Sequence, residues 1–209
     1  MKRSSLIIPV SIAIHLIIIN LTLFTLSYDT YNDIVAIVYY NLSWLLITFA
    51  IDFYPTKRNE RFFTNFHKVL VVFLVFSLAY FTNFSFRNLS ISPVYQLKVL
   101  LVIFSTIMIY RYIFYYLRDI YRVEGGNFVS VVVIGRDRKL KKIRQIFDLP
   151  ELGYRYRGYF DNHPSKSITY LGNIDQVFDF IRNNTVDEVY CMVSRLSSDQ
   201  INELITFCD

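Results

Sequence analysis

A phosphate-binding turn is the first chemistry that the sequence suggests, at the stretch VSVVVIGRDRK, residues 129–139. A buried strand that runs into a glycine and then a helix is how dinucleotide-binding domains begin, and the positive end of the helix attracts phosphate. Such sites need two more glycines, one for close approach of the pyrophosphate and one for helix packing. Arg136 and Lys139 bring side chains there instead. We therefore expect weak, salt-sensitive binding of phosphate-bearing ligands and poor binding of extended dinucleotides.

Asp161 is a second candidate for ligand binding. It ends the alternating segment YRYRGYF, where an acidic residue can meet a ribose hydroxyl. It can equally cap the turn into NHPS, and both interpretations stay open at this point. Gly135, Arg136 and Asp161 are thus the candidate cofactor-binding residues, and no cofactor is predicted for the chain itself.

The rest of the sequence offers no catalytic constellation. It contains no glycine-rich P-loop and no group of His, Asp and Glu residues with metal-ligand spacing. His67 stands in a basic loop and His163 in the NHPS turn, where solvated side chains are typical. Cys191 and Cys208 also lack metal-ligand spacing, and we interpret both as buried thiols. We predict no catalytic residue and no metal ligand.

The residues after 128 are patterned as alternating strands and helices. Residues 129–134 form a continuous β-branched run, typical of a strand buried on both faces of a parallel sheet. A helix over 139–147 and the strand YRYRGYF follow. Asn173 and Gln176 form a capping-box pattern at the start of a helix that extends to 184.

A last strand, in DEVYCMVS, and a last helix, in SSDQINELITFC with Ser197 or Ser198 as its cap, complete the pattern. The order β-α-β-α-β-α predicts a doubly wound, Rossmann-like parallel sheet of about three strands. The chain stops where a further strand should begin. We therefore expect this α/β domain to be truncated at its C-terminus.

The first 120 residues predict a transmembrane domain. The whole chain is 54% hydrophobic and only 19% charged, which is too apolar for an ordinary soluble protein. Four apolar runs, at about 6–26, 34–51, 69–86 and 94–117, approach the roughly 20 residues that a helix needs to cross a bilayer. We predict four transmembrane α-helices in residues 1–120, a hinge at 121–128 and a cytosolic, incomplete Rossmann-like domain at 129–209.

Basic residues near the ends of the runs predict the orientation. Nine lie on one side of the predicted spans: Lys2, Arg3, Lys57, Arg58, Arg61, Lys68, Arg111, Arg118 and Arg122. Two, Arg87 and Lys98, lie on the other side. The positive-inside rule then places the N-terminus, the 52–68 loop and everything after the fourth run in the cytoplasm. The net charge of +5 follows this membrane pattern, so we expect no nucleic-acid binding.

Several polar residues fall within or beside the apolar runs. Lys98 and Arg111 flank the stretch VLLVIFSTIMIY, and we expect them to snorkel toward opposite membrane interfaces. His15 and three asparagines are expected to hydrogen-bond between neighbouring helices. His15 is also a functional candidate, because ionisable groups in membranes often are.

Four phrases carry a resemblance to one protein family: RYIFYYLRDIYRVEGGNFVSVVVIG, PELGYRYRGYFDN, YLGNIDQVFDFI and VDEVYCMVSRLSSDQINELI. They resemble the N-terminal half of the polyprenyl-phosphate sugar phosphotransferases, specifically the undecaprenyl-phosphate glucose phosphotransferase type of bacterial capsule and exopolysaccharide synthesis. In that family four membrane helices precede a Rossmann-like, CoA-binding-like domain, and a separate sugar transferase domain follows. The resemblance covers the whole chain and is closest from Arg111 onward.

The resemblance implies transfer of a sugar-1-phosphate, typically from UDP-glucose, to undecaprenyl phosphate at the bacterial inner membrane. It places catalysis, an Asp-Glu pair and Mg in the transferase domain. Asp187 and Glu188 do not take that role, because they open a strand of the α/β domain. These 209 residues are then the membrane-anchoring and regulatory half, expected to transfer no sugar phosphate alone. The expected partners are the lipid bilayer and, through the transferase domain, undecaprenyl phosphate and a UDP-sugar; homo-oligomers are compatible with this arrangement.

Two alternatives remain open. Membrane-bound nucleotide-sugar dehydratases and epimerases share the N-terminal plan, but they normally keep a glycine-rich finger where this chain has GRDRK. A GxxGxxG finger downstream would favour that class, whereas a basic apolar helix followed by Asp-Glu would favour the phosphotransferase. The third interpretation is a non-catalytic, membrane-tethered binding or assembly module.

Overall fold

The computed structural model describes residues 7–54, 58, 60, 62–87 and 92–208, without the side chains of residues 29, 30, 64, 86, 87, 138, 139 and 208. The chain divides into two compact units, Met1–Tyr116 and Leu117–Asp209. We describe each unit by itself.

The first unit is helical, with α1 (Ile7–Leu26), α2 (Tyr28–Tyr31), α3 (Ile34–Ala50), α4 (Phe66–Arg87) and α5 (Pro93–Val123). Among the described residues, three helices are long and apolar enough to cross a membrane: α1, the Phe66–Ser85 part of α4, and α5. This is compatible with a membrane protein.

The second predicted span forms the shorter helix α3. Its 17 residues extend about 25 Å at 1.5 Å per residue, less than the ~30 Å apolar thickness of a bilayer. The structure therefore confirms three of the four predicted spans by length, and the fourth remains a proposal. Two helices extend beyond the predicted spans, because α4 begins at Phe66 and α5 continues to Val123.

Buried and half-buried polar side chains connect the helices of the first unit. The amides of Asn20 on α1 and Asn41 on α3 exchange two hydrogen bonds of 2.8 and 2.9 Å. Asn83 on α4 donates to the hydroxyl of Tyr40 on α3 at 2.7 Å. The prediction that the asparagines bond between neighbouring helices is confirmed. Such bonds replace the water that these groups lack inside an apolar bundle.

The second unit is an α/β domain with the strands β1 (Val129–Ile134), β2 (Tyr154–Phe160), β3 (Tyr170–Gly172) and β4 (Glu188–Cys191). Its helices are α6 (Arg138–Phe147), α7 (Val177–Asn183) and α8 (Ser198–Cys208). The strands are parallel and ordered β3-β2-β1-β4. The predicted parallel sheet is confirmed, but with four strands rather than three, because β3 was not predicted.

Two capping boxes begin the helical segments after β3 and β4. Asn173 and Gln176 bond reciprocally, as predicted, but they begin a 3-10 turn, Ile174–Gln176, before α7 starts. Before α8, the Gln200 N–H donates to Ser197 Oγ at 3.2 Å and the Ser197 N–H donates to Gln200 Oε1 at 3.1 Å. Ser197 is thus the cap, which satisfies N–H groups that a helix start leaves free.

Gly158 marks an irregularity between the two longest strands. The register of β1 against β2 shifts between Val131 and Val132, where Gly158 pairs with Val132. Its φ is +147°, and a Cβ there would lie 2.5 Å from the carbonyl oxygen of Thr169. Only glycine lets β2 bend at this point and still pass close to the chain that enters β3.

We predict that Gly158→Ala destabilises the sheet by about 3 kcal/mol or more, because it adds a steric overlap to an unfavourable φ. The matched control is Gly125→Ala, where φ is +86° but nothing lies within 4 Å of the added Cβ, so the cost should be about 1–2 kcal/mol. Hydrogen exchange of the β1 amides measures both. Equal exchange in the two variants would show that the overlap is unimportant.

Candidate functional site

The topology brings three turns to one edge of the sheet. Because all four strands are parallel, the segments that follow β1, β2 and β4 lie at the carboxyl edge. Sheets of this type bind ligands at that edge, next to the point where the strand order reverses. That point lies between β1 and β4. The chain adds β2 and β3 on one side of β1 and then returns to add β4 on the other side. Gly135 follows β1 and Asp161 follows β2.

Gly135 is required by the structure of the turn itself. Its φ is +87°, and an added Cβ would lie 3.0 Å from Cβ of both Met192 and Arg195. Its N–H donates to the carbonyl of Phe160 at 2.8 Å. The glycine therefore lets the segment after β4 pack against the end of β1, a need that exists with or without a ligand.

Asp161 joins two turns through its carboxylate. Oδ2 accepts the backbone N–H of Arg136 at 2.5 Å, and Oδ1 accepts the backbone N–H of His163 at 2.8 Å. Burial is the largest influence on the Asp161 pKa and raises it, but the hydrogen bonds from His163 and Arg136 outweigh burial and leave the pKa below its usual value. The carboxylate thus stays ionised and serves as a cap of both turns.

The structure brings the three candidate residues together, with Arg136 between the other two. Its backbone N–H bonds to Asp161, and its guanidinium Nη1 donates to Ser165 Oγ at 3.2 Å. The side chain is exposed and borders a cavity. Cofactor binding by these three residues remains a prediction.

The cavity beside the turn is open, with a volume of about 840 Å³. Four basic side chains line it: Arg136, Lys141, Arg144 and Arg195. Two acids, Asp137 and Asp161, also border it, so the basic side chains predominate. This size suits a small organic ligand, and the excess of cations suits an anionic one.

Tyr159 supplies an unused hydrogen-bonding group to this cavity. Its side chain is 3% exposed, and its buried hydroxyl has no hydrogen-bond partner in the part of the chain that the structure describes. Tyr156 lies beside it on β2; burial raises its pKa, and Arg144 acts in the opposite direction. Tyr156 is therefore neutral near pH 7, and the hydroxyl of either phenol can donate a hydrogen bond to a bound oxyanion.

Sequence reasoning missed Lys141, Arg144, Arg195 and Tyr159. Lys141 and Arg144 are three residues apart on a helix, so one side of α6 carries both, and this spacing was the available signal. Arg195 and Tyr159 belong to other elements. No local pattern connects those two residues to α6, because only the sheet order brings them together.

The other polar candidates have structural partners. Asp187 Oδ2 accepts the backbone N–H of Ser130 at 2.8 Å, and Glu188 accepts the hydroxyl of Tyr190 at 2.8 Å. Cys191 is exposed, contrary to the expected buried thiol, and the side chain of Cys208 lies outside the described part. Within that part, no group of three or more His, Cys, Asp or Glu side chains is placed to hold a metal ion.

Comparison with known families gives one match. The model of the CoA-binding domain matches residues 49–209, so the chain belongs to the CoA-binding domain family. This domain is found in polyprenyl-phosphate sugar phosphotransferases. No curated protein and no solved structure matches the chain.

We predict that Asp161→Asn lowers the free energy of unfolding of the α/β unit by about 1–3 kcal/mol at pH 7, because an amide accepts only one of the two N–H bonds. Since the folded pKa lies below the unfolded value of about 3.9, the contribution is complete above that value and is lost as the pH falls through the folded pKa. Hydrogen exchange of the β1 amides across pH measures this change. The control is Asp179→Asn on the exposed side of α7; an equal loss there would contradict the prediction.

Proposed function

We propose that this chain is the membrane-anchoring and regulatory N-terminal half of a polyprenyl-phosphate sugar phosphotransferase, of the undecaprenyl-phosphate glucose phosphotransferase type. The family match carries the proposal. It runs without a break from the end of α3, through α4 and α5, to the end of the α/β unit. Apolar helices and a CoA-binding domain in this order are the arrangement that the resemblance implies.

The proposed location is the bacterial inner membrane, with four spans and with the N-terminus and the α/β unit in the cytoplasm. The support is the asymmetry of nine basic residues against two near the ends of the apolar runs. Four spans require the short helix α3 to cross, and a bilayer can thin around a short helix at modest cost. Transfer of the sugar phosphate, with its Mg, is proposed to occur in a separate catalytic domain.

We predict that reporter fusions at Asn32 and Asn88 report a periplasmic position and that a fusion at Asn59 reports a cytoplasmic one. Paired alkaline phosphatase and fluorescent-protein fusions measure each site independently. Exchanging Arg58 for Glu is not expected to change the result, because eight basic residues remain on the cytoplasmic side. A cytoplasmic signal at Asn32 would contradict the four-span arrangement.

The α/β unit is proposed to bind a phosphate-bearing ligand through side chains rather than through a glycine-rich loop. In a glycine-rich site the backbone N–H groups of the first turn face the pyrophosphate. Here the N–H of Arg136 is donated to Asp161. The basic side chains at the cavity and the Tyr159 hydroxyl are further groups for an anion.

This donor set fits the phosphate groups of CoA, which supply negative charge when CoA is bound. An extended dinucleotide should bind poorly, because the Arg136 side chain directly follows Gly135, where a dinucleotide site needs open space for the pyrophosphate. Exposed cations give weak, screened attraction. Binding is therefore proposed to be weak and salt-sensitive. Weak, reversible binding suits a regulatory site, because the occupancy of the site then changes with the concentration of the ligand.

We predict that calorimetric titration of the full chain in detergent with UMP, UDP-glucose, CoA and NAD detects at most weak binding, which added salt reduces. Lys141→Gln, Arg144→Gln and Arg195→Gln should each weaken it about twofold to fivefold. Arg182→Gln is the matched control, since Arg182 is exposed on α7 and pairs with Asp179 at 3.9 Å.

Two results would contradict this prediction. Equal weakening by Arg182→Gln would show that net charge, and not the cavity, attracts the ligand. Micromolar binding of NAD or CoA that Gly135→Val abolishes, while the cavity variants leave it unchanged, would show a working main-chain site at the β1–α6 turn.

A further inference from the structure

Arg111 and His15 bring polar groups without partners into the interior of the helical unit. Arg111, on α5, is 4% exposed, and His15, on α1, is completely buried. In the part of the chain that the structure describes, Nε and Nη2 of Arg111 and Nε2 of His15 have no hydrogen-bond partner. Burying an unpaired guanidinium is strongly unfavourable, so this cluster calls for a compensating group.

Aromatic rings surround the two residues without satisfying these groups. The Phe53 ring centroid lies 4.1 Å from the guanidinium carbon of Arg111 and 5.7 Å from the His15 ring centroid. A ring face attracts the cation but accepts no directed hydrogen bond of ordinary strength. Glu60 acts on Arg111 electrostatically, but its Oε2 accepts a hydrogen bond from Asn65 at 3.2 Å.

The two unpartnered nitrogens of Arg111 indicate what kind of group would compensate its charge. Nε and Nη2 lie on the same edge of the guanidinium, and their two N–H bonds point in parallel. This edge binds two oxygens of one phosphate or carboxylate. The described interactions leave that edge free.

His15 adds a third donor through a short hydrogen-bonded chain. Trp44 Nε1 donates to the Tyr54 hydroxyl at 3.3 Å, and that hydroxyl lies 3.0 Å from His15 Nδ1. Because the hydroxyl accepts from Trp44, its own hydrogen is available for Nδ1. In the tautomer that accepts this hydrogen at Nδ1, Nε2 carries the ring hydrogen and is the third donor.

The surroundings of the cluster identify the source of the anion. α1 and α5 are both long and apolar enough to cross a membrane, and they expose large apolar side chains such as Ile17 and Ile109 on their outer surfaces. Phe53, which covers Arg111, lies just after the end of α3, and the ends of membrane helices are where lipid head groups lie. We propose that Arg111 and His15 bind the phosphate of a lipid head group, with its acyl chains against the apolar outer faces.

Binding requires a side chain to move, because Nε and Nη2 of Arg111 are buried, and Phe53, whose ring packs against the guanidinium, is the candidate. The preceding residue, Asp52, has a φ of +48°, a left-handed conformation that costs free energy in a residue other than glycine. We assign the movement of Phe53 to this turn at Asp52.

The test uses the purified full chain in dodecyl maltoside, a detergent without phosphate, titrated with phosphatidic acid. Native mass spectrometry counts retained lipid, and thermal unfolding measures stabilisation. We expect one retained lipid and a rise in Tm for the wild type. Arg111→Gln should weaken binding by at least about tenfold, and Arg111→Lys, which keeps the charge but loses the parallel donors, should also weaken it.

The matched control is Arg118→Gln, also on α5, whose wild-type guanidinium is already bonded to Asp119 at 2.9 Å; it should bind like the wild type. His15→Phe should weaken binding while keeping a ring in place, and it tests the proposal even if Arg111→Gln does not fold. Equal binding by wild type, Arg111→Lys and His15→Phe would overturn the proposal.

Inorganic phosphate and oleate distinguish the sources of the anion. If phosphate alone raises Tm as much as phosphatidic acid does, the site binds free phosphate and the lipid proposal is wrong. If oleate is retained as tightly as phosphatidic acid, the site selects a carboxylate, which also overturns it. Retention of phosphatidic acid alone, lost in Arg111→Gln, supports the proposal.

Discussion

The burial of β1 is the constraint on which the α/β unit depends. Val131, Val132, Val133 and Ile134 have no exposed surface, so both faces of the strand need cover and both edges need a neighbour. β2 and β4 pair with it in parallel, and the two faces pack into separate hydrophobic clusters. Since parallel strands end at one edge, the turns after β1, β2 and β4 must meet there. The position of the candidate site thus follows from hydrophobic burial.

The carboxylate of Asp161 then determines what this edge can offer a ligand. A dinucleotide site uses free N–H groups in its first turn, which are fixed before the ligand arrives. Here the Arg136 N–H is donated to Asp161, and the attraction of anions passes to long, exposed side chains. Such side chains lose conformational freedom on binding and are screened by salt. In the proposed site, this hydrogen bond shifts anion binding from preorganised main-chain groups toward adaptable side chains.

The features that the sequence predicted are those with local causes. β1 is a run of β-branched residues, and the predicted capping box of Asn173 and Gln176 depends on residues three positions apart. β3 was missed because it has only three residues, one of them glycine, and its strand conformation depends on pairing with β2. Of the candidate site, the turn and Asp161 were predictable, because each directly follows a recognisable strand. The cavity was not, because Arg195 joins α6 only through the order of the strands.

Arg111 shows where periodicity is more informative than hydropathy. Its position at the end of an apolar stretch predicted a snorkelling side chain, and that prediction is wrong, because Arg111 is buried while Lys98 is exposed. The spacing in the sequence predicts the burial of Arg111. The buried side of α5 carries residues at four-residue intervals: Ile103, Ile107, Arg111 and Tyr115.

Gln96 lies on the same helix and is also buried, but its amide oxygen accepts hydrogen bonds from Tyr80 at 2.5 Å and Ser27 at 3.2 Å. Within the described residues, the amide oxygen of Gln96 thus finds its hydrogen-bond partners in the helical unit itself. Nε and Nη2 of Arg111 do not. A buried amide needs only neutral hydrogen-bond partners, whereas a buried guanidinium needs a negative charge together with acceptors for its N–H groups, and Nε and Nη2 of Arg111 have no acceptor in the described part of the chain. This difference is why we propose an external anion at Arg111 rather than at Gln96.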